Sequence, residues 1–293
     1  MSNKETKLHH TDREIVRYCY NNMPNHLIEM NSEINSNICA IYFSSNGIDS
    51  MCKNDEEYES TIAKKNRFEW KKNKVKKAEK HIFIRDVLKE YYVEGINKNL
   101  NNCNRVFDFL RSETNNMRII TIGSSSGGYA ATLFGILLKA DYIFSFTGQF
   151  NLYHMSLQSN PNRDPLHNPL LYKHIDDNEY SRYYDLLPLM KTCSIPIFYL
   201  ASDHRLDYMQ KQLVKSYYCV YEFDIKGKDH VFPCYIFNIM DVINKPVDEL
   251  KKLSEKYRGK TINKFIFSLQ VSGILKSVES FMKMVFRRVK LER

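Results

Sequence analysis

Five residues, Gly123-Ser124-Ser125-Ser126-Gly127, constrain this chain more than any other stretch. They follow the apolar run Met117-Arg118-Ile119-Ile120-Thr121-Ile122 and precede Gly128-Tyr129-Ala130-Ala131-Thr132-Leu133-Phe134-Gly135. The first run reads as a buried strand and the second as a helix with few polar positions. Between them the chain must reverse within a turn of small residues, because the backbone there is strained and packed against its neighbours. Glycine is otherwise scarce, 10 of 293 residues, and three of the ten stand at 123, 127 and 128. At this composition a G-x-S-x-G match is expected by chance only about 0.02 times. The run lacks the lysine of G-x-x-x-x-G-K-[ST] and the spacing of G-x-G-x-x-G, so a phosphate-cradling loop is the weaker reading.

The turn presents Ser125 at the head of a helix, where free N–H groups and a partial positive charge favour a developing oxyanion. A serine hydroxyl is a poor nucleophile at its own pKa and needs a base, which in turn needs an orienting acid. Both are found downstream in a consistent order. Ile195–Ala201 reads as a strand ending at Ser202-Asp203, and Tyr217–Ile225 as the next strand, followed by Lys226-Gly227-Lys228-Asp229-His230. Ser125, Asp203 and His230 therefore each fall just past a strand, as nucleophile, acid and base. Asp207, one helical turn beyond Asp203, is the runner-up acid, and Asp229 is a further competitor. His9 and His10 lie in a polar segment, and His204 adjoins the acid, so its side chain is expected to point elsewhere. For the oxyanion, one donor is the backbone N–H of Ser126. The second is sought after the strand Ile38–Phe43, in the loop Ser44-Ser45-Asn46-Gly47, with Ser44 or Ser45 favoured.

Strand patterns recur at 38–43, 81–84, 117–122, 141–147, 195–201 and 218–225, separated by helical patterns at 86–114, 127–139 and 205–216. Such alternation predicts an α/β architecture with a mostly parallel sheet and helices on both faces. Reactive residues then belong at the carboxyl ends of the strands. The expected organisation is an N-terminal polar helical segment, 1–36, a catalytic unit, 37–258, and a basic amphipathic tail, 259–293. The stretch 149–194 interrupts the alternation and is expected to form a small lid.

Seven dispersed cysteines without a C-x-x-C pair argue for reduced thiols and against a zinc site. No apolar leader follows Met1, so a cytoplasmic location is expected. The net charge of +9 is concentrated in part at 71–80 and in the tail, where 260–293 holds eight basic and two acidic residues. The tail's Phe265–Leu275 run is too short to span a bilayer. Beyond it, Val278, Phe281, Met282, Val285, Phe286 and Val289 recur at helical spacing among lysines and arginines, a pattern suited to an anionic membrane surface, which would make the protein peripheral to the membrane. No recognition module accompanies the charge, so nucleic acid is not expected as a partner.

The segment Ile120–Ala131, with Leu133-Phe134-Gly135 behind it, resembles α/β-hydrolase-fold proteins of bacterial surface-polysaccharide loci. Within that group it resembles the capsule O-acetyltransferase type associated with the meningococcal serogroup A polysaccharide, over residues 38–245. The resemblance implies an α/β-hydrolase fold and an acetyl-serine intermediate. It further implies acetyl-CoA as cosubstrate with no cofactor bound, and a polysaccharide or oligosaccharide as acceptor. Two other readings remain: a carboxylesterase or deacetylase using the same serine, histidine and aspartate, and a non-catalytic hydrolase-like assembly factor.

Overall fold

The computed structural model describes residues 10–153 and 174–291, with side chains through 285. Seven strands form one sheet: β1 (His26–Met30), β2 (Ile38–Phe43), β3 (Lys80–Ile84), β4 (Arg118–Ser124), β5 (Tyr142–Phe146), β6 (Ile197–Ala201) and β7 (Val220–Asp224). Their order is β1-β3-β2-β4-β5-β6-β7, and every pairing is parallel except that of β1 with β3. The six apolar runs read from the sequence all become strands, five of them interior and one, β7, at the edge. β1 is an addition: within 1–36 a helix forms, α1 (Glu14–Asn22), while His26–Met30 extends the sheet as an edge strand. An isolated pentapeptide with one charged and one histidine side chain carries little periodic signal, and pairing with β3 decides its state.

The central strands are buried on both faces, which explains their near-continuous apolar character. In β2, Cys39, Ile41 and Phe43 belong to one core layer, and Ile38, Ala40 and Tyr42 to the other. The first layer is closed by α2 (Cys103–Glu113) and α3 (Ser126–Leu137). The second is closed by α5 (Ile239–Asn244), α6 (Val247–Lys256) and α7 (Lys264–Ser272), with α4 (Arg205–Val214) between β6 and β7 in sequence. α7 buries Phe267, Ser268 and Val271, so the first half of the basic tail docks on the molecule's own core. Ile262 bridges Ile225 at the edge of β7. α8 (Ile274–Leu291) follows a turn at Gly273.

The helix expected at 86–114 forms only from Cys103. Residues 86–92 instead wrap around the buried Asp86 carboxylate, which accepts the N–H groups of Leu88, Lys89, Glu90 and Tyr92 at 2.6–3.0 Å. A short acidic side chain here offers backbone donors an alternative to helical carbonyls. Burial pushes the Asp86 carboxyl up to about 6. The basic run 71–80 likewise forms no helix. Val75 and Ala78 enter the core, Lys77 lies over the Tyr142 ring, and Lys71 and Lys74 pair with Glu29. Of the expected lid, 154–173 lies outside the described residues, as do 1–9 with His9.

Candidate active site

Ser125 sits between β4 and α3 with φ +52° and ψ −120°, a conformation strained for a residue with a Cβ. Its neighbours make that turn feasible. A Cβ on Gly123 would meet the Gly127 carbonyl oxygen at 1.9 Å, and one on Gly127 would meet that of Phe43 at 2.2 Å. The Ser125 amide is held by the Phe146 carbonyl at 2.8 Å, so β5 pins the turn from the side. The result is a serine only 9% exposed whose Oγ stands 2.8 Å from Nε2 of His230.

His230 reaches this position from the loop after β7. Val231, a β-branched residue, adopts φ +74°, the Phe232 amide bonds the His230 carbonyl at 3.0 Å, and the Val231 amide bonds Thr147 Oγ1 at 3.1 Å. That tight reversal, anchored to the end of β5, turns the imidazole inward. Nδ1 of His230 lies 2.7 Å from Oδ1 of Asp207.

The acid beside His230 is therefore Asp207, and not Asp203 as the strand-end position suggested. Asp207 is fully buried in the first turn of α4, and its Oδ2 accepts from both the amide and hydroxyl of Ser202 at 3.1 and 2.7 Å. The helix N-terminus further favours its negative charge. Asp203 is 46% exposed and serves the loop instead. Its amide donates to the Gly227 carbonyl, its carboxylate accepts from the Gly227 amide at 3.2 Å, and Lys211 Nζ is 3.8 Å away. Asp229 pairs with Lys264 on the outside. The choice between the two aspartates depends on which way each points from the end of β6.

His204 is not remote from the site. Its ring lies 5.0 Å from that of His230, and its Nδ1 accepts the Leu206 amide at 3.3 Å. Burial, reinforced by the neighbouring His230, lowers its pKa, so it stays neutral near pH 7. His204, Asp207 and His230 present ligand-type atoms within 4.8 Å of one another, the geometry of a small cation site. Each of those residues, however, already has a hydrogen-bond partner: the Leu206 amide, Ser202 and Ser125 respectively.

The loop after β2 also differs from expectation. The Ser44 amide is taken by the Ile84 carbonyl at 2.9 Å and the Ser45 amide by Glu69 Oε2 at 2.6 Å. The Gly47 amide bonds Ser45 Oγ at 3.1 Å. Neither serine can then supply a free donor. Within 44–47 the Asn46 amide is the one with no acceptor among the described residues. Asn46 is also tied to the elbow, its Oδ1 accepting the Ser126 hydroxyl at 2.8 Å. The Ser126 amide is the first of α3 and has no carbonyl one turn back within the helix.

Glu69 carried no sequence signal. Besides the Ser45 amide its carboxylate accepts Ser45 Oγ at 2.9 Å and Ser124 Oγ at 3.4 Å. Burial raises its pKa. One acidic side chain thus ties the loop after β2 to the residue preceding Ser125.

Beside His230 a cleft of about 970 Å³ runs between the 229–237 loop and α8. Phe232, Tyr235, Phe237 and Phe281 give it an aromatic lining, with Lys264 and Lys283 among its walls.

Neither a protein-family model nor a curated protein matches the chain. Solved structures do. The capsule O-acetyltransferase of Neisseria meningitidis serogroup A aligns at 15% identity over 80% of this chain and 92% of that one, with a TM-score of 0.51. Est1E from Butyrivibrio proteoclasticus aligns at 12% identity over 79% and 93%, with a TM-score of 0.43. MenH from S. aureus aligns at 12% identity over 80% and 97%, with a TM-score of 0.39. Together with the sheet order and helix placement, the first of these establishes that the chain has an α/β-hydrolase fold.

Proposed function

We propose that this chain is a serine acyltransferase that O-acetylates a bacterial capsular or surface polysaccharide from acetyl-CoA. The observation that carries the reading is the continuous hydrogen-bonded line from Ser125 Oγ through His230 to the buried Asp207. Nε2 of His230 takes the Ser125 proton as Oγ bonds to the thioester carbonyl carbon. Asp207 holds the imidazole and stabilises its cation. The amides of Ser126 and Asn46 face the oxyanion of the tetrahedral intermediate, and each such donor supports about 10²–10³ in rate. The carbon–sulfur bond then breaks, His230 returns the proton to the departing thiolate, and an acetyl-serine remains. A sugar hydroxyl attacks that ester, giving its proton to His230, and His230 passes it to Ser125 Oγ as the carbon–oxygen bond to the serine breaks. Transfer in preference to hydrolysis requires exclusion of water from the acyl-enzyme, a task suited to the 149–194 segment. The similarity in fold to a capsule O-acetyltransferase is consistent with this choice of acceptor, and the cleft beside His230 offers space for one of the two substrates.

The test incubates purified protein with acetyl-labelled acetyl-CoA, with and without candidate polysaccharides, beside Ser125→Ala. Acceptor-dependent label transfer abolished in the variant is the expected result. Rapid release of free acetate regardless of acceptor replaces the transferase reading with an esterase or deacetylase. Absence of turnover with any acyl donor points to a non-catalytic assembly factor.

A further inference from the structure

A row of apolar side chains on α8 faces solvent. Leu275 is 88% exposed and Ile274 70%, and Val278, Met282 and Val285 are also exposed. At 100° per residue these five fall within about 100° of one another on the helix. Another side of the same helix is inserted: Ser277 is fully buried and bonds Ser268, and Phe281 packs against Phe265 and Tyr235. The exposed row is therefore not the face by which α8 holds to the core. Ile236, 73% exposed on the loop after His230, adds to it. Ile236 and Val285 are also walls of the cleft beside His230, so the apolar surface and the cleft share a rim.

We infer that this surface, α8 together with Ile236, docks on an anionic lipid bilayer and holds the mouth of the His230 cleft at the membrane plane. Charge selects the occupant. Residues 260–293 carry eight basic and two acidic side chains on a chain of net +9, so two copies placed face to face would repel. A bilayer with anionic headgroups satisfies both the apolar row and the net positive charge of the same segment. No described helix is long and apolar enough to cross a membrane, and α8 would lie in the interface.

The test is independent of catalysis. Leu275→Trp and Ile236→Trp each add a reporter to a chain whose sole tryptophan, Trp70, is buried. Each variant is sedimented with phosphatidylglycerol or phosphatidylcholine vesicles, and its emission is read with brominated acyl chains in the vesicles. Both should sediment at least tenfold more strongly with phosphatidylglycerol, and both new tryptophans should be quenched. A Leu275→Glu/Val278→Glu/Met282→Glu variant should lose the binding while keeping its circular dichroism and Tm. No sedimentation with phosphatidylglycerol overturns the inference, as does sedimentation without quenching at 275. Quenching at 275 but not at 236 overturns the placement of the cleft. A dimer in light scattering that the triple variant dissociates reassigns the face to self-association.

Discussion

At the scale of single residues, the two aspartates after β6 make opposite predictions. Asp207 is buried against Ser202 and His230, whereas Asp203 faces solvent and Gly227. Asp207→Asn should lower kcat about 10³–10⁴-fold, because an amide neither stabilises the imidazolium nor fixes its tautomer. Asp203→Asn should stay within about threefold of the parent, since loss of a solvent-exposed carboxylate contributes little. Steady-state hydrolysis of a small soluble ester measures both, and near-equal losses would contradict the assignment. Glu69 offers a second test. Glu69→Gln keeps the size but cannot accept from the Ser45 amide and two hydroxyls in the same way. If it positions the Asn46 amide, kcat should fall about 10–100-fold with KM little changed, consistent with partial loss of one oxyanion donor. A loss confined to Tm with unchanged kcat would make Glu69 purely structural. Ser125 was legible in the sequence because its signal is contiguous: strand, glycine turn and helix are all within 19 residues. His230 was legible from its place after β7. Asp207 was legible only as the runner-up to Asp203, and Asn46 and Glu69 were not legible, since each depends on the direction of a side chain relative to a segment tens of residues away.

At the scale of elements, the approach of α3 to the sheet is set by glycine. The backbone of Gly127 lies against the end of β2, and a methyl group there would collide with the carbonyl oxygens of both Phe43 and Ser44. Neither is a flexible side-chain tip, so the strand and the helix must separate. Gly127→Ala should cost about 3 kcal/mol or more by chemical denaturation and disorder the elbow at the same time. A Tm within a degree of the parent would show that the helix can shift without penalty. Interior strands could be read from their apolar runs because burial on both faces leaves a nearly unbroken signal. The edge strand β1 and the 86–92 turns could not. The first is made by pairing with β3, and the second by one carboxylate collecting four amides.

At the scale of the whole molecule, one sheet with two core layers joins segments far apart in sequence. Trp70 illustrates the connection: its Nε1 donates to the Phe43 carbonyl, and its ring meets Phe146 and Phe232. It thus touches β2, β5 and the loop carrying His230. Denaturant unfolding followed by Trp70 fluorescence and by far-ultraviolet circular dichroism should give coincident midpoints. Separate midpoints would mean that the site-bearing end opens before the sheet. The amino-acid sequence alone determined the alternation of strands and helices, the strained serine turn and the basic amphipathic tail, because each arises from neighbours in the chain. Only the tertiary structure decided which carboxylate meets His230, which amide of the loop after β2 lacks an acceptor among the described residues, and which side of the tail helix faces solvent. Those outcomes depend on the register of parallel strands and on buried hydrogen bonds between distant segments, and no local pattern encodes them.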